Sequence, residues 1–289
     1  MSLPREWRTA LPLGRGEAAL RSWHGGAAGV PVLAVHGWMD NAATFDRLAP
    51  ALSTAPFHAV DLAGHGFSDP RPAGMRYHNA DFLDDLLAVM AVLAPAGQLD
   101  LIGHSLGAGL LLLIAGIFPE RVRRLVLIDG LGPLAADPAR YAEQTREALL
   151  GLRDFRPERR PVPDEATAVR ARMQGITGPL SESAAQLLCT RSLGRNASGE
   201  LIWLTDKRLR LNSLMRFSET QVRSCIEAIT APVLLIRGDR GMPLPDGPYL
   251  DRLTHFRDLR RLTLPGGHHL HLDESPDAVA AAIRDFLSA

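Results

Sequence analysis

A five-residue turn, Gly103-His104-Ser105-Leu106-Gly107, lies between two apolar segments and strongly limits how this chain can fold. Residues 99–102 have the length and composition of a buried strand, and residues 110–114 those of a buried helix. A serine on a sharp turn from strand to helix has a strained backbone, and neighbouring side chains would clash with it. Glycines at both ends of the turn remove these clashes. The pattern predicts that Ser105 is presented as a nucleophile.

Strands and helices alternate on either side of this turn. Short apolar runs predict strands at residues 30–35, 57–60, 99–102, 122–128, 232–237 and 259–264. Residues 17–23 are predicted to form an edge strand, and residues 276–286 a final amphipathic helix. Repeated strand–helix–strand units predict a mostly parallel sheet with helices on both faces.

Residues 131–229 interrupt the alternation. This stretch is rich in Arg, Glu, Ala and Pro, and it contains helical patches but no clear strand. We interpret it as a helical cap inserted between two strands of one sheet. Residues 1–130 and 230–289 then form the α/β core.

The composition excludes several classes of protein. The 32 basic and 32 acidic side chains balance, so no charge surplus indicates a nucleic-acid partner. The N-terminal segment has no apolar core of signal-peptide length, and the longest apolar stretch is too short to cross a bilayer. The chain is therefore predicted to be cytoplasmic, without membrane partners, and to act on a small molecule as a monomer or homodimer.

Three histidines compete for the role of general base. They follow the last predicted strand in the segment Pro265-Gly266-Gly267-His268-His269-Leu270-His271. Two glycines precede His268, so the chain can turn its ring back over the edge of the sheet, and His268 is favoured. His269 is the alternative, and His271 is predicted to pack or to form a hydrogen bond beneath the cap.

An oxyanion hole requires two backbone donors. One is predicted to be the amide of Leu106, which follows the nucleophile. The other is predicted to be the amide of Trp38, in the loop after the strand at residues 30–35. The Trp38 side chain is also a candidate wall of the acyl pocket, and His104, Leu131 and Trp203 are predicted to contact substrate.

Across nearly its full length, the chain resembles the α/β-hydrolases with an inserted lid. The resemblance is carried by His36-Gly37-Trp38, by Asp61-Leu62-Ala63-Gly64-His65-Gly66-Phe67-Ser68, by the serine turn, and by Gly267-His268. Residues 35–41 and 129–133 are similar to the serine-hydrolase-like branch, which consists largely of esterases of undefined substrate. The resemblance implies that Asp61 and His65 belong to a supporting loop rather than to the catalytic groups.

The triad acid departs from the pattern of the family. Members often carry it three residues after the glycine that ends a late strand, and that position is Gly241 here. Asp129, at the end of the strand after the nucleophile helix, is one candidate, and Asp239 is another. Asp246, or no acid at all, is the remaining alternative. An aspartate at a strand end also commonly caps the following loop, which is the structural alternative for Asp129.

These features predict a serine hydrolase that cleaves a carboxylic ester through an acyl-enzyme, with no metal or organic cofactor. The irregular acid keeps open a non-catalytic ligand-binding protein on the same scaffold. Thioester, lactone or C–C bond hydrolysis and perhydrolysis are further alternatives. Four cap arginines could meet an acidic substrate or lie solvated on the surface: Arg191, Arg195, Arg208 and Arg210.

Overall fold

A central twisted sheet organises the computed structural model, which describes residues 4–23, 29–52, 55–158, 160–175, 178–243 and 247–289. The strands are β1 (Arg5–Ala10), β2 (Glu17–Trp23), β3 (Val32–Val35), β4 (Phe57–Val60), β5 (Leu99–His104), β6 (Val122–Ile128), β7 (Leu193–Arg195), β8 (Leu201–Trp203), β9 (Val233–Gly238) and β10 (Leu259–Leu264). Within the described residues, eight of them form one sheet in the order β1-β2-β4-β3-β5-β6-β9-β10. From β4 to β10 the neighbouring strands are parallel, which confirms the predicted mostly parallel α/β architecture.

Helices cover both faces of the sheet. They are α1 (Ala49–Leu52), α2 (Asn79–Leu93), α3 (Leu106–Ile117), α4 (Tyr141–Arg153), α5 (Glu165–Met173), α6 (Glu182–Ser192), α7 (Glu219–Ala228), α8 (Pro248–Asp251) and α9 (Pro276–Ser288). One apolar core contains side chains of α2, α3 and α7, and the other contains those of α1 and α9. In the part of the chain that the structure describes, no helix is both long enough and apolar enough to span a bilayer.

Two elements differ from the sequence-based prediction. Strand β1 pairs antiparallel with β2 and lies outside it, so the prediction that residues 17–23 form the edge is wrong. Strand β1 was missed because its side chains are mostly exposed and polar, as an edge strand permits. Strands β7 and β8 form an antiparallel pair inside the region predicted to be helical. With three residues each, they are too short for a period-2 pattern to reveal them.

The segment between β6 and β9 has an apolar cluster of its own. Buried side chains of α5 and α6 meet there, including Ala168, Ala185 and Leu188, and Leu272 of the core joins them. Helix α7 belongs instead to the core, because its Val222 and Ile226 pack in the cluster that contains α3. We call residues 131–218 the cap, and the predicted boundaries at 131 and 229 stay predictions.

Hydrogen bonds and ion pairs connect this cap to the core. Arg191 of α6 is about 1% exposed and donates to Asp61 at 2.6 Å and to Glu6 at 2.7 Å. The Asn41 amide donates to the Leu188 carbonyl at 2.9 Å. Arg191, Asp61 and Asn41 are polar or charged groups removed from water, so each would be costly to leave unpaired. The cap is therefore held in a fixed position over the carboxyl ends of the parallel strands.

Candidate active site

Ser105 lies at the junction of β5 and α3 in a conformation that few non-glycine residues adopt, with φ 52° and ψ −112°. The close packing of this turn explains the glycines around it. A Cβ at position 103 would lie 2.5 Å from the Cα of Ala108, and one at position 107 would overlap the Val35 carbonyl. The strained turn leaves Ser105 partly exposed at the carboxyl edge of the sheet.

His268 lies on the turn that follows β10. Two carboxylates hold the backbone of that turn: Asp239 accepts from the Gly266 amide at 2.8 Å, and Glu274 accepts from the Gly267 amide at 3.0 Å. Gly266 has φ 138°, a value that favours glycine. The turn directs the His268 side chain inward, where it is 5% exposed.

Asp129 follows β6 and forms a 2.6 Å hydrogen bond to Nδ1 of His268 through Oδ2. The same oxygen accepts from the Met242 amide at 2.8 Å, and Oδ1 accepts from the Gly238 amide at 3.3 Å. Burial raises the pKa of the Asp129 carboxyl, but the hydrogen bonds from His268 and Met242 outweigh it and hold the pKa below its usual value. Asp129 is therefore an ionised partner of the imidazole.

The other predicted acids lie elsewhere. The Asp239 carboxylate contacts the Gly266 amide and Arg240, and its side chain is 47% exposed. Asp246 lies outside the described residues. A Cβ at Gly241, the position where relatives often carry the acid, would overlap the Asp129 carboxylate. Asp129 thus fills the space that the family's usual acid would need.

Ser105, His268 and Asp129 converge around His104. The Ser105 amide donates to the Ile128 carbonyl at 3.0 Å, which places the serine beside the residue preceding Asp129. Nε2 of His104 donates to the His268 carbonyl at 2.9 Å, and the two rings have centroids 4.6 Å apart. The three predicted triad members therefore lie at one edge of the sheet.

The predicted oxyanion loop packs against the serine. A Cβ at Gly37 would lie 3.1 Å from the Cβ of Ser105. Leu106 is the first residue of α3, so its amide has no acceptor within the helix. The Trp38 indole donates to the Leu209 carbonyl of the cap at 3.1 Å. The oxyanion roles of the Leu106 and Trp38 amides stay predictions.

The structure contradicts two of the three predicted substrate contacts, because the side chains concerned are fully buried. His104 and Leu131 are each 0% exposed, so neither side chain offers surface to a substrate in this structure. His104 instead supports the His268 backbone, and Leu131 packs in the core below α3. Trp203 of β8 is half-buried and lines a cavity beneath the cap.

A second buried polar cluster lies next to the serine and was not predicted. The Asp40 carboxylate accepts from His269 at 3.1 Å, lies 3.5 Å from Nδ1 of His104, and contacts the guanidinium of Arg172. Burial raises the pKa of the Asp40 carboxyl, but His269 and Arg172 hold it well below its usual value. His269, the alternative general base, thus has a different carboxylate partner from His268.

The same cluster is the place where a metal ion could be held. Asp40, His104 and His269 each offer one ligand atom within 4.8 Å of the others. The Arg172 guanidinium already supplies the positive charge that the buried carboxylate requires. The prediction that the chain uses no metal stays a prediction.

The fold agrees with the comparisons. Residues 30–275 match the sequence model of the α/β hydrolase fold family. The chain belongs to that family. This α/β-hydrolase is 33% identical to a probable serine hydrolase of Drosophila melanogaster, over 98% of its own length and 87% of that protein. It is 29% identical to an esterase of Mycobacterium tuberculosis, over 93% and 86% of the two chains.

Among solved structures, this α/β-hydrolase is similar to a hypothetical protein from Pseudomonas aeruginosa PAO1. The TM-score is 0.89 at 37% identity, and the match covers 98% of this chain and 99% of the other. The resemblance inferred from the sequence motifs is therefore confirmed.

Acid is expected to destabilise this α/β-hydrolase well above the pH at which its carboxylates titrate. His36, His65, His104 and His271 are fully buried, and burial lowers the pKa of each, to about 4 for His104 and to about 3 for His65. In the unfolded chain a histidine has a pKa of about 6.5. Below that pH the unfolded state binds protons that the folded state excludes, so the free energy of unfolding falls as the pH falls.

His65 and His104 should each remove roughly 1.5 kcal/mol of stability between pH 6.5 and pH 5, and His36 and His271 act in the same direction. Urea unfolding at pH 7 and at pH 5 measures the effect, and we expect a much lower midpoint at pH 5. Equal midpoints would show that the histidines titrate alike in both states.

Proposed function

We propose that this α/β-hydrolase cleaves a carboxylic ester through an acyl-enzyme on Ser105. His268 acts as the general base, and Asp129 orients it. The observation that carries the proposal is the 2.6 Å hydrogen bond between His268 and Asp129, at the same edge of the sheet as a serine with φ 52°. A strained, partly exposed serine at the same edge of the sheet as a carboxylate-bound imidazole supports nucleophilic acyl transfer.

The hydrogen bond to Asp129 determines which nitrogen of the neutral His268 ring carries the hydrogen. Because the ionised carboxylate only accepts, Nδ1 of the neutral ring carries the hydrogen. Nε2 is then left with a lone pair, which can take the proton of the Ser105 hydroxyl. The carboxylate also stabilises the imidazolium that forms after this transfer.

The reaction proceeds in two halves. Ser105 Oγ bonds to the ester carbonyl carbon while its proton passes to His268 Nε2, and the amides of Leu106 and Trp38 bind the oxyanion. The ester C–O bond breaks, and the alcohol leaves with that proton. Water then adds to the acyl carbon and gives a proton to His268, which returns it to Ser105 as the acid departs.

The argument for a non-catalytic protein is that position 241, where relatives often carry the triad acid, has no carboxylate. Asp129 contacts the same histidine from the neighbouring strand, and this contact supports the catalytic function over that alternative. The relative named an esterase supports an ester as the bond that is cleaved. Thioesters, lactones and the other serine-based reactions remain outcomes of a substrate panel.

A fluorophosphonate probe tests the proposal directly. We expect covalent labelling of the wild-type protein at Ser105 and hydrolysis of 4-nitrophenyl butyrate. The Ser105→Ala variant should be unlabelled, whereas the control Ser198→Ala, at an exposed cap position, should be labelled like the wild type. A folded wild-type protein that neither reacts with the probe nor turns over the ester would refute the proposed function.

A further inference from the structure

A cavity of about 570 Å³ lies between the cap and the core. Its walls come from distant parts of the cap: the segment after α4, the end of α5, strand β8 and the residues after it. Met39 of the core, next to Trp38 in the predicted oxyanion loop, also lines it. The cavity is thus partly open to solvent and reaches the loop that adjoins the serine.

Two further contacts connect this cavity to the catalytic edge. Arg172 lines the cavity and binds Asp40, whose carboxylate lies 3.1 Å from His269. Gly175 also lines it, and three residues later a Cβ at Gly178 would lie 4.0 Å from the Cβ of His268. The cavity therefore borders residues that contact Asp40 and the backbone next to His268.

The charge around the cavity is strongly one-sided, although the whole chain is neutral. Five basic residues line it, Arg156, Arg160, Arg172, Lys207 and Arg210, against one acidic residue, Asp154. Asp40 neutralises Arg172. Among the described residues the other four form no ion pair with a carboxylate, and Lys207 and Arg156 contact backbone carbonyls instead.

The remaining cap arginines of the sequence-based hypothesis are engaged elsewhere. Arg191 binds Asp61, Arg208 binds Asp206 at 2.6 Å, and Arg195 donates to the Gly199 carbonyl at 2.7 Å. Of the four, Arg210 faces the cavity. Four basic side chains without a carboxylate partner in the described part of the chain thus line this cavity: Arg156, Arg160, Lys207 and Arg210.

We propose that this cavity binds an oxyanion carried by the substrate, a carboxylate or a phosphate. Clustered positive charge in a concave site attracts anions, and guanidinium groups bind both oxyanions through paired hydrogen bonds. The apolar side chains Met39, Phe155 and Trp203 provide surface for the carbon chain beside it. The inference rests on the proposed function and adds the substrate class: an ester or thioester with a negative group on its acyl or leaving side.

Two pairs of substrates distinguish the sources of the anion. Mono-4-nitrophenyl glutarate, with a carboxylate on the acyl chain, is compared with neutral 4-nitrophenyl pentanoate. Hexanoyl-coenzyme A, with phosphates on the leaving group, is compared with neutral S-hexanoyl-N-acetylcysteamine. We expect kcat/KM to favour the anionic member of at least one pair by about tenfold at low salt, and the preference to shrink at 0.5 M NaCl.

Two double variants that remove the same charge test whether the preference for anionic substrates depends on the cavity. In Lys207→Gln/Arg210→Gln the preference for the anionic member should fall about tenfold, because both positive charges line the cavity. The control Arg146→Gln/Arg257→Gln removes the same charge from exposed positions outside the cavity lining and should keep the wild-type preference. Thermal unfolding of both double variants verifies that they are folded.

Calorimetry on Ser105→Ala separates this inference from the proposed function. The variant should bind the anionic member about tenfold more tightly than the neutral one, whether or not the wild type turns either over. Equal affinity for both members of both pairs, or equal losses in the two double variants, would overturn the anion site. Hydrolysis of neutral esters alone would leave the proposed function standing and refute the anion site.

Discussion

Ser105→Ala and His268→Gln are each expected to lower kcat for ester hydrolysis by about 10⁶-fold, and the double variant should lower it no further. The alanine removes the nucleophile. The glutamine can still donate to the Asp129 carboxylate, but its amide oxygen is far too weak a base to take the serine proton. Because the two groups act in one step, losing either removes the contribution of both.

His269→Gln is the matched control, since His269 is the neighbouring histidine and the other candidate base. Its ring contacts Asp40 rather than Asp129, so its loss should change kcat far less than the loss of His268. Steady-state assays with 4-nitrophenyl butyrate, with thermal unfolding to verify folding, measure all four proteins. If His269→Gln proves the more damaging, the general base has been assigned to the wrong histidine.

Asp129→Asn is expected to lower kcat by about 10⁴-fold. Oδ2 of Asp129 accepts from both His268 and the Met242 amide. An asparagine cannot offer an ionised oxygen there, and if its NH₂ group faces the ring, His268 must carry its hydrogen on Nε2. That tautomer presents a hydrogen to Ser105 instead of a lone pair.

Asp239→Asn provides the comparison for the same chemical change on the neighbouring strand. Its amide oxygen can still accept from the Gly266 backbone, so the His268 turn should remain in place and kcat should fall less than about tenfold. Measuring kcat for both variants at one pH decides between the two carboxylates. A large loss in Asp239→Asn together with a small loss in Asp129→Asn would reverse the assignment.

The core strands and the serine turn could be predicted because their signals are local. Residues 99–114 contain an apolar strand, a turn bounded by Gly103 and Gly107, and an apolar helix in direct succession, so the turn can be recognised without any distant partner. The triad acid has no such signal. Asp129 and Asp239 each follow a strand of the same parallel pair, so composition and spacing fit both equally well. What separates them is the direction of each carboxylate, which depends on the φ of 43° at Asp129 and on the turn at Gly266.

The predicted substrate contacts of His104 and Leu131 were wrong for the same reason: the sequence does not reveal the direction of a side chain. Both residues adjoin strand ends near Ser105, so their sequence positions suggested contact with the substrate, but their side chains point into the protein. The Asp40 cluster and the basic cavity were missed because they join residues far apart in the chain. Lys207 and Arg156, for instance, are brought together by the cap fold. Spacing in the sequence does not reveal which distant residues lie close together in the structure.

The ion pairs between cap and core limit how specificity could be engineered by exchanging modules. Arg191 and Arg172 belong to the cap, yet their partners Asp61 and Asp40 are core carboxylates that are about 0% and 1% exposed. Excising the cap, or grafting one from another enzyme without these two arginines, would leave two negative charges buried without counter-ions. A transplanted cap would therefore have to include both guanidinium groups before its new pocket could be assayed.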